Sequence, residues 1–354
     1  MKVVFIIEDS LPNRAVSPST TPHLWKFMAA GACHAAGGRA VLSTATYPNH
    51  ASFITGAVPE AHGVVTNRVW DGARFVCASG IGPTSETLFA AARRAGVSTS
   101  AVLGDQKLVG VMGAVAADGH WPPRGLLPEG TLLDEFQYAT DAAVLGALGE
   151  TAALEADLAV VHLNDPDTAC HLFGPDSEEA RVRFQATDAA FGQILEMLAP
   201  GWEDTIVFVV SDHDQETMLD EPAIDLAAIL AERGLPGKVV SEGTTAQVVQ
   251  GPTLDELRAL PGVTGVAASG SGRSLVWGAP GTAFGTVDWR LKGGHGSPRT
   301  DTQVAAVGGG HPLVEPLGDS LRVRRPDATD WAPTMAALLG FALADATGTP
   351  LLAS

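Results

Sequence analysis

The 354 residues carry 40 acidic and 22 basic side chains, a formal net charge of -18, and such a surface repels phosphate backbones and anionic lipid, which argues against nucleic-acid and membrane partners. A content of 45% hydrophobic and 18% charged residues suits a soluble chain with a large core, long enough for one large α/β domain or two ordinary ones. Three cysteines without a close pair argue against a disulfide framework and lead us to expect a cytoplasmic protein.

The chain opens on an apolar run, Lys2 to Ile7, which predicts a buried strand with Asp9 at its carboxyl end. That run is too short for a signal segment, and no run approaches membrane-spanning length. Thr21 and Pro22 predict a helix from Pro22 to Ala30, closed by Gly31. Thr44-Ala45-Thr46-Tyr47-Pro48-Asn49-His50 then lies between a run of small and apolar residues, Gly38 to Leu42, and a helix expected from about Asn49 to Thr55. Thr46 thus falls at a strand-to-helix junction. A hydroxyl there acts as a helix cap or sits at an anion site, because helix N-termini carry unpaired N–H groups and positive potential. A turn from Pro59 to Val64 leads to Asn67. Thr84 or Ser85 predicts the cap of a helix from Glu86 to Ala95, and a strand from Ser98 to Leu103 ends at Gly104-Asp105.

The Pro- and Gly-rich stretch from Gly119 to Gly130 reads as a surface loop. A helix from about Ala139 to Leu154 precedes a strand, Asp157 to Leu163, followed at once by Asp165-Pro166-Asp167-Thr168-Ala169-Cys170-His171. Asp176 or Ser177 starts a long amphipathic helix to about Leu198. The next strand, Thr205 to Val210, ends in Ser211-Asp212-His213-Asp214. From there the texture changes to short β-like runs (Lys238 to Val240, Thr245 to Val249, Ser274 to Trp277) with helices near Ile224 to Glu232 and Leu254 to Leu260. Residues 215–292 are therefore expected to form a small inserted α+β cap lining the leaving-group side, and 1–214 with 293–354 the catalytic core. Gly293-Gly294-His295-Gly296, a strand from Gln303 to Val307 and a helix from Trp331 to Leu339 complete that core. Alternating strands and helices predict an α/β fold with a mostly parallel central sheet and helices on both faces.

Asp9, Asp167, His171, Asp212, His213 and His295 each follow an apolar run or sit in a Gly-rich loop, so parallel strands would bring them together at one sheet edge. Three Asp and three His form a nitrogen/oxygen donor set suited to Zn²⁺, with Mn²⁺ or Fe²⁺ as alternatives. Shared between two ions, six ligands leave room for a substrate. These residues, with Thr46-Tyr47-Pro48-Asn49-His50, Thr55-Gly56, Pro59 to Val64 and Asn67 in this order, resemble the alkaline phosphatase superfamily. The likeness is to its nucleotide pyrophosphatase/phosphodiesterase and phosphonoacetate hydrolase branches.

That resemblance implies Thr46 as nucleophile, Asp167, His171 and His295 on one zinc, and Asp9, Asp212, His213 and the Thr46 hydroxyl on the other. It also implies Asn67 as a hydrogen-bond donor to a phosphoryl oxygen. The expected activity is hydrolysis of a small phosphodiester through a phospho-threonine. Phosphonate cleavage, phosphomonoesterase activity and a metal-stabilised binding protein are the competing readings. Lys107, in Asp105-Gln106-Lys107-Leu108, is a candidate substrate contact or a solvated loop charge, and Tyr47, Trp70 and Trp289 are candidate stacking rings. The chain departs from the resemblance at Ser10 and Asp214, where Gly is usual, and at Cys170, where many relatives have Gly. Asp214 is expected to bear on metal preference or to repel anionic leaving groups.

Overall fold

The computed structural model describes residues 1–285 and 291–352. Of the strands before residue 215, six belong to the central sheet: β1 (Lys2–Glu8), β2 (Ala32–Cys33), β3 (Thr99–Leu103), β4 (Gly119–Trp121), β5 (Leu158–Leu163) and β6 (Thr205–Val210). Then come β7 (Lys238–Glu242), β8 (Thr245–Val249), β9 (Gly265–Ala268), β10 (Arg273–Trp277) and β11 (Ala305–Gly309). The central sheet has seven strands in the order β2-β11-β6-β1-β5-β3-β4. Its β6-β1-β5-β3-β4 stretch is parallel, and β11 runs antiparallel to β6 and to β2.

Val3 to Ile7 are wholly buried because both sheet faces are covered, which is why β1 is apolar without alternation. Its odd residues face α2 (Thr46–Thr55), α3 (Leu88–Ala95), α9 (Val314–Val323) and α10 (Trp331–Leu338), through Phe53, Phe89, Leu317 and Trp331 among others. Phe5 meets Phe53 edge-on at 5.5 Å and Trp331 at 6.1 Å. The even residues, Val4 and Ile6, face α1 (Pro22–Ala30), α4 (Asp141–Thr151) and α6 (Glu178–Leu198) through Leu24, Val144 and Phe191. The expected α/β architecture with helices on both faces is thus the one observed.

Between β6 and β11, the strands β7 to β10 form a separate antiparallel sheet, ordered β7-β8-β10-β9. It packs on α7 (Leu226–Glu232) and α8 (Leu254–Arg258) through its own cluster of Leu226, Leu230, Val248, Leu257 and Phe284.

Two boundaries differ from expectation for physical reasons. The helix before Gly96 begins at Leu88 rather than Glu86, and its cap is Thr87, whose hydroxyl accepts from Ala90 N. Glu86 instead pairs with Arg94, outside the helix. The stretch from Gly119 is not all loop, because Gly119–Trp121 pairs with β3 and extends the parallel sheet by one strand.

Candidate active site

The carboxyl ends of β1, β3, β5 and β6 open on one side. In this register Ile7 lies level with both His162 and Val210, so Asp9, Asn164 and Asp212, each two residues further on, emerge side by side. The loop after β5 enters α5 (Asp165–Phe173), which sets Asp167 and His171 one turn apart, with Oδ1 and Nε2 3.5 Å from each other. His295 comes from the 293–297 segment, which is sewn to the stretch before α2. Thr44 N donates to Gly296 O at 3.3 Å, and Thr44 Oγ1 donates to Ser297 O at 2.8 Å. Gly296 has φ of +119°, and a Cβ there would stand 2.7 Å from Glu242 O, so the glycine after His295 is dictated by the cap hairpin packed against it.

All ten residues of α2 are buried, and Gly56 ends it in the left-handed conformation. The helix starts at Thr46 itself, with Ala45 at the cap position. The cap reading of Thr46 is therefore set aside. Tyr47 N donates to Asn67 Oδ1 at 3.0 Å, and Pro48 has no N–H. Among the described residues the Thr46 N–H and Asn67 Nδ2 have no protein acceptor, and both residues line the same cleft.

The histidines share one arrangement. His171 Nδ1 donates to Gly293 O at 3.0 Å, His295 Nδ1 to Thr44 O at 3.2 Å and His213 Nδ1 to Asp214 O at 3.1 Å. A carbonyl only accepts, so each Nδ1 carries the proton and each Nε2 offers a lone pair. His213 Nε2 lies 3.2 Å from Asp212 Oδ2, 3.3 Å from Thr46 Oγ1 and 4.0 Å from Asp9 Oδ1. Donors about 2.0–2.1 Å from a tetrahedral zinc stand roughly 3.3 Å apart, so this spacing fits an ion. Three mutually close groups result among the described residues: Asp9 with Asp212 and His213, Asp167 with His213 and His295, and, deeper, Asp9 with His50 and His162. His171 approaches Asp167 but stands outside the second group, whose ring stack is His213 on His295 at 4.0 Å.

Two oxygens of this cluster, Asp9 Oδ1 and Asp212 Oδ2, are buried without a hydrogen-bond donor. Burial, reinforced by Asp212 and Asp167, pushes the Asp9 carboxyl well above its ordinary range. Burial also holds His295 well below the usual imidazole value, aided by the neighbouring His213 and His171, so the ring is neutral. Orphaned carboxylate oxygens beside an imidazole nitrogen are what a divalent cation satisfies. The residues present therefore fit a metal.

Behind them, His162 Nε2 lies 2.9 Å from Asp9 Oδ2, which leaves Oδ1 as the outward atom. His50 Nδ1 donates to Thr46 O at 2.8 Å and ties the helix start to the cluster. Both are strand or helix residues that look like core in sequence.

The cleft has a volume of about 360 Å³ and is lined by Thr46, Tyr47, Asn67, Asp105, Phe136 and Tyr138 beside the metal-ligand candidates. Sequence reasoning missed Phe136 and Tyr138. They sit on a tight loop organised by the buried Asp134, whose Oδ1 accepts from Phe136 N and Tyr138 N, each at 2.9 Å. Its Oδ2 accepts from Asn164 Nδ2 at 3.1 Å and Thr168 Oγ1 at 2.5 Å. The only usable signal was an Asp two and four residues before those rings.

Several expectations change. The cap was expected to line the leaving-group side, yet of residues 215–292 only Leu291 among the described residues lines the cleft. The cap instead supports from outside, with Glu242 Oε1 accepting from Arg68 N at 3.1 Å beside Asn67. Lys107 is exposed and lies over the Tyr138 ring at 5.5 Å, outside the cleft lining. Tyr47 does line the cleft, but its hydroxyl is committed to Asp105 Oδ2 at 2.9 Å. Burial raises that Asp105 carboxyl to about 6. Trp70 packs on Phe75 away from the cleft, and Trp289 lies outside the described residues. Asp214 does not face substrate. It pairs with Arg14 and is absent from the cleft lining. Cys170 is a buried core filler among apolar neighbours.

Residues 3–266 match the family model described as type I phosphodiesterase / nucleotide pyrophosphatase. The chain belongs to that family. A venom phosphodiesterase of Macrovipera lebetinus is 28% identical over 191 residues, which cover 51% of this chain and 21% of that protein. Ectonucleotide pyrophosphatase/phosphodiesterase family member 1 of Rattus norvegicus is 25% identical over 190 residues, covering 50% of this chain and 20% of the relative. The matches thus span about a fifth of these curated relatives' own length. Among solved structures, murine ectonucleotide pyrophosphatase / phosphodiesterase 5 superposes with a TM-score of 0.74 at 18% identity, covering 99% of this chain and 98% of that one. Phosphonoacetate hydrolase from Sinorhizobium meliloti 1021 gives a TM-score of 0.67 at 15% identity, covering 94% of each. At such identities the likeness is one of fold, and it is the alkaline phosphatase-like fold expected above. No described helix of this family member is long and apolar enough to cross a membrane.

Proposed function

We propose that the chain is a phosphodiester hydrolase that binds two divalent cations, Zn²⁺ by preference, and uses Thr46 as its nucleophile. The carrying observation is the set of three histidines, each anchored through Nδ1 to a backbone carbonyl and offering Nε2 toward Asp9, Asp167 and Asp212. Asp9, Asp212 and His213, beside the Thr46 hydroxyl, would hold one ion, and Asp167 and His295 with His171 or His213 the other. Such ions supply Lewis acidity toward a phosphoryl oxygen and make a bound hydroxyl more acidic. They also offset three buried carboxylates in a chain that already repels anions.

Thr46 Oγ1 sits at the start of α2, against His213 and facing the cleft. It forms the new P–O bond as the leaving-group oxygen departs, and water later cleaves the phospho-threonine. Asn67 is held by its Oδ1, so its Nδ2 is pre-oriented as a donor. Together with the Thr46 N–H it stabilises charge on the non-bridging oxygens. Neither donor needs to reorganise.

The cleft lining, among the described residues, holds no Lys or Arg. A monoester's extra charge and the carboxylate of phosphonoacetate would therefore lack a partner there, which favours a diester. Phe136, Tyr138 and Tyr47 offer flat apolar surface to its leaving group. A form of the murine neighbour described as inactive is in complex with AMP, which is consistent with a nucleotide-sized occupant.

The test compares the metal-replete protein and Thr46→Ala on bis-p-nitrophenyl phosphate, p-nitrophenyl phosphate and phosphonoacetate. The diester should have the highest kcat/KM. Thr46→Ala should lose on the order of 10³-fold or more in kcat while retaining metal. Turnover by Thr46→Ala near the wild-type rate, or no diesterase activity in the metal-replete protein, rules the proposal out.

A further inference from the structure

Ser10 and Gln215 are buried behind the candidate ligands and line no part of the cleft. Ser10 adopts φ of +60°, a conformation natural to glycine and strained for serine. The chain nevertheless places a hydroxyl there, and that hydroxyl stands between residues of both metal groups. It is 2.8 Å from Asp167 Oδ1 and 3.0 Å from His213 Nδ1. Gln215 Nε2 lies 3.3 Å from the same hydroxyl and 2.8 Å from Asp167 Oδ1. The Ser10 N–H, in turn, donates to Asp212 Oδ1 at 3.0 Å.

The protons in this knot have one consistent arrangement. His213 Nδ1 carries its hydrogen, because Asp214 O can only accept. Gln215 Nε2 can only donate. The one Nδ1 hydrogen of His213 is thus shared between Asp214 O and Ser10 Oγ, and a Gln215 N–H points at the same oxygen, which leaves the single serine proton for Asp167 Oδ1. The hydroxyl has one donor and two acceptor positions, and all three are in use. Three consequences follow. His213 is locked in the tautomer that presents Nε2, Asp167 is held by two donors, and Asp212 is held through the serine backbone. A glycine or alanine at position 10 would keep the backbone bond to Asp212, but would leave His213 Nδ1 only Asp214 O and Asp167 Oδ1 only Gln215, with no group joining the two.

We infer that Ser10, with Gln215 beside it, is a positioning residue that couples the two ligand groups. An ion that orders Asp167 also orders His213 through the shared hydroxyl, so filling one position prepares the other. This rests on the two-ion reading above. Outer partners of metal ligands are worth about 10- to 100-fold in metal affinity when removed, which sets the expected size.

The experiment titrates Zn²⁺ against a chelator of known affinity into metal-free wild type, Ser10→Gly, Ser10→Ala and Gln215→Ala. Co²⁺ absorption reports ligand geometry, and thermal unfolding of each metal-free protein reports the fold. Ser10→Gly should unfold no earlier than wild type without metal, since glycine suits that backbone. It should nevertheless bind the weaker ion about 10- to 100-fold less tightly and show an altered Co²⁺ spectrum. Gln215→Ala should show a smaller loss of the same kind. Two equivalents bound by wild type, with Ser10→Gly matching it in both affinities and in spectrum, overturns the coupling alone. A wild type that binds one equivalent or none overturns the two-ion reading and the coupling with it.

Discussion

The two walls of the cleft are built by different means. On one side, Asp9, Asp167, Asp212 and His213 hang from the ends of neighbouring parallel strands or the turn that follows, and their spacing is that of the sheet. On the other, Phe136 and Tyr138 hang from a loop whose shape depends on one carboxylate, Asp134. The strand-end wall is redundant, because backbone ladders, buried apolar residues and anchored imidazoles all hold it. The aromatic wall has one keystone. On the function proposed above, chemistry is housed where the fold is over-determined, and leaving-group recognition where a few substitutions can reshape it.

The largest effect expected below tests the rigidity of the first wall. Burial holds the His62 imidazole near 4, and Nε2 donates to Ser52 Oγ of α2 at 3.0 Å. Its folded value lies below the ordinary 6.5, so the unfolded chain takes up the proton first as pH falls. The stability contributed by neutral His62 is complete above 6.5 and lost on acidification through about 4, a total of roughly 3 kcal/mol. Urea unfolding of metal-free wild type and His62→Gln from pH 7 to 4 should show the variant losing that much less stability. Parallel pH profiles for the two proteins would mean that His62 is not held neutral.

The second wall should give way at a single residue. Asp134→Ala removes four hydrogen bonds from the loop and from Asn164 and Thr168, and should cost about 2–3 kcal/mol in urea unfolding. KM for an aryl diester should rise while metal content stays at the wild-type level. A variant that loses metal instead would show that the walls are not independent.

Smaller still is the contrast between Tyr138→Ala and Lys107→Ala. Losing the ring should lower kcat/KM for an aryl diester about tenfold, with little change for a methyl diester. Losing the exposed lysine should change either by less than about twofold. A larger effect at Lys107 would restore it as a substrate contact.

Legibility in the sequence followed the same division. The metal-ligand candidates were readable because strand ends are marked by the apolar runs before them, and an Asp or His placed just past such a run is conspicuous. Asn67 was readable only through the family resemblance. Phe136 and Tyr138 gave no such mark, since aromatic residues in a loop look like local packing. His162 and His50 were also hidden, inside an apolar strand and a buried helix. Asp214 was legible as a departure, but its direction was not. Arg14, 200 residues away, turns it from the cleft.

By itself the sequence determined the alternation of strands and helices, the mostly parallel sheet it implies, and the donor types collected at one edge. Periodicity and composition are local, and parallel strands with helical crossovers leave few ways to arrange them. Only the tertiary structure decided which nitrogen each histidine presents, because tautomers depend on carbonyls contributed by distant segments. It alone showed that, among the described residues, segment 215–292 lines the cleft only through Leu291 and otherwise supports the site from outside. It also gave Ser10 its place, since a hydroxyl shared by Asp167, His213 and Gln215 exists only once three strand-end segments meet.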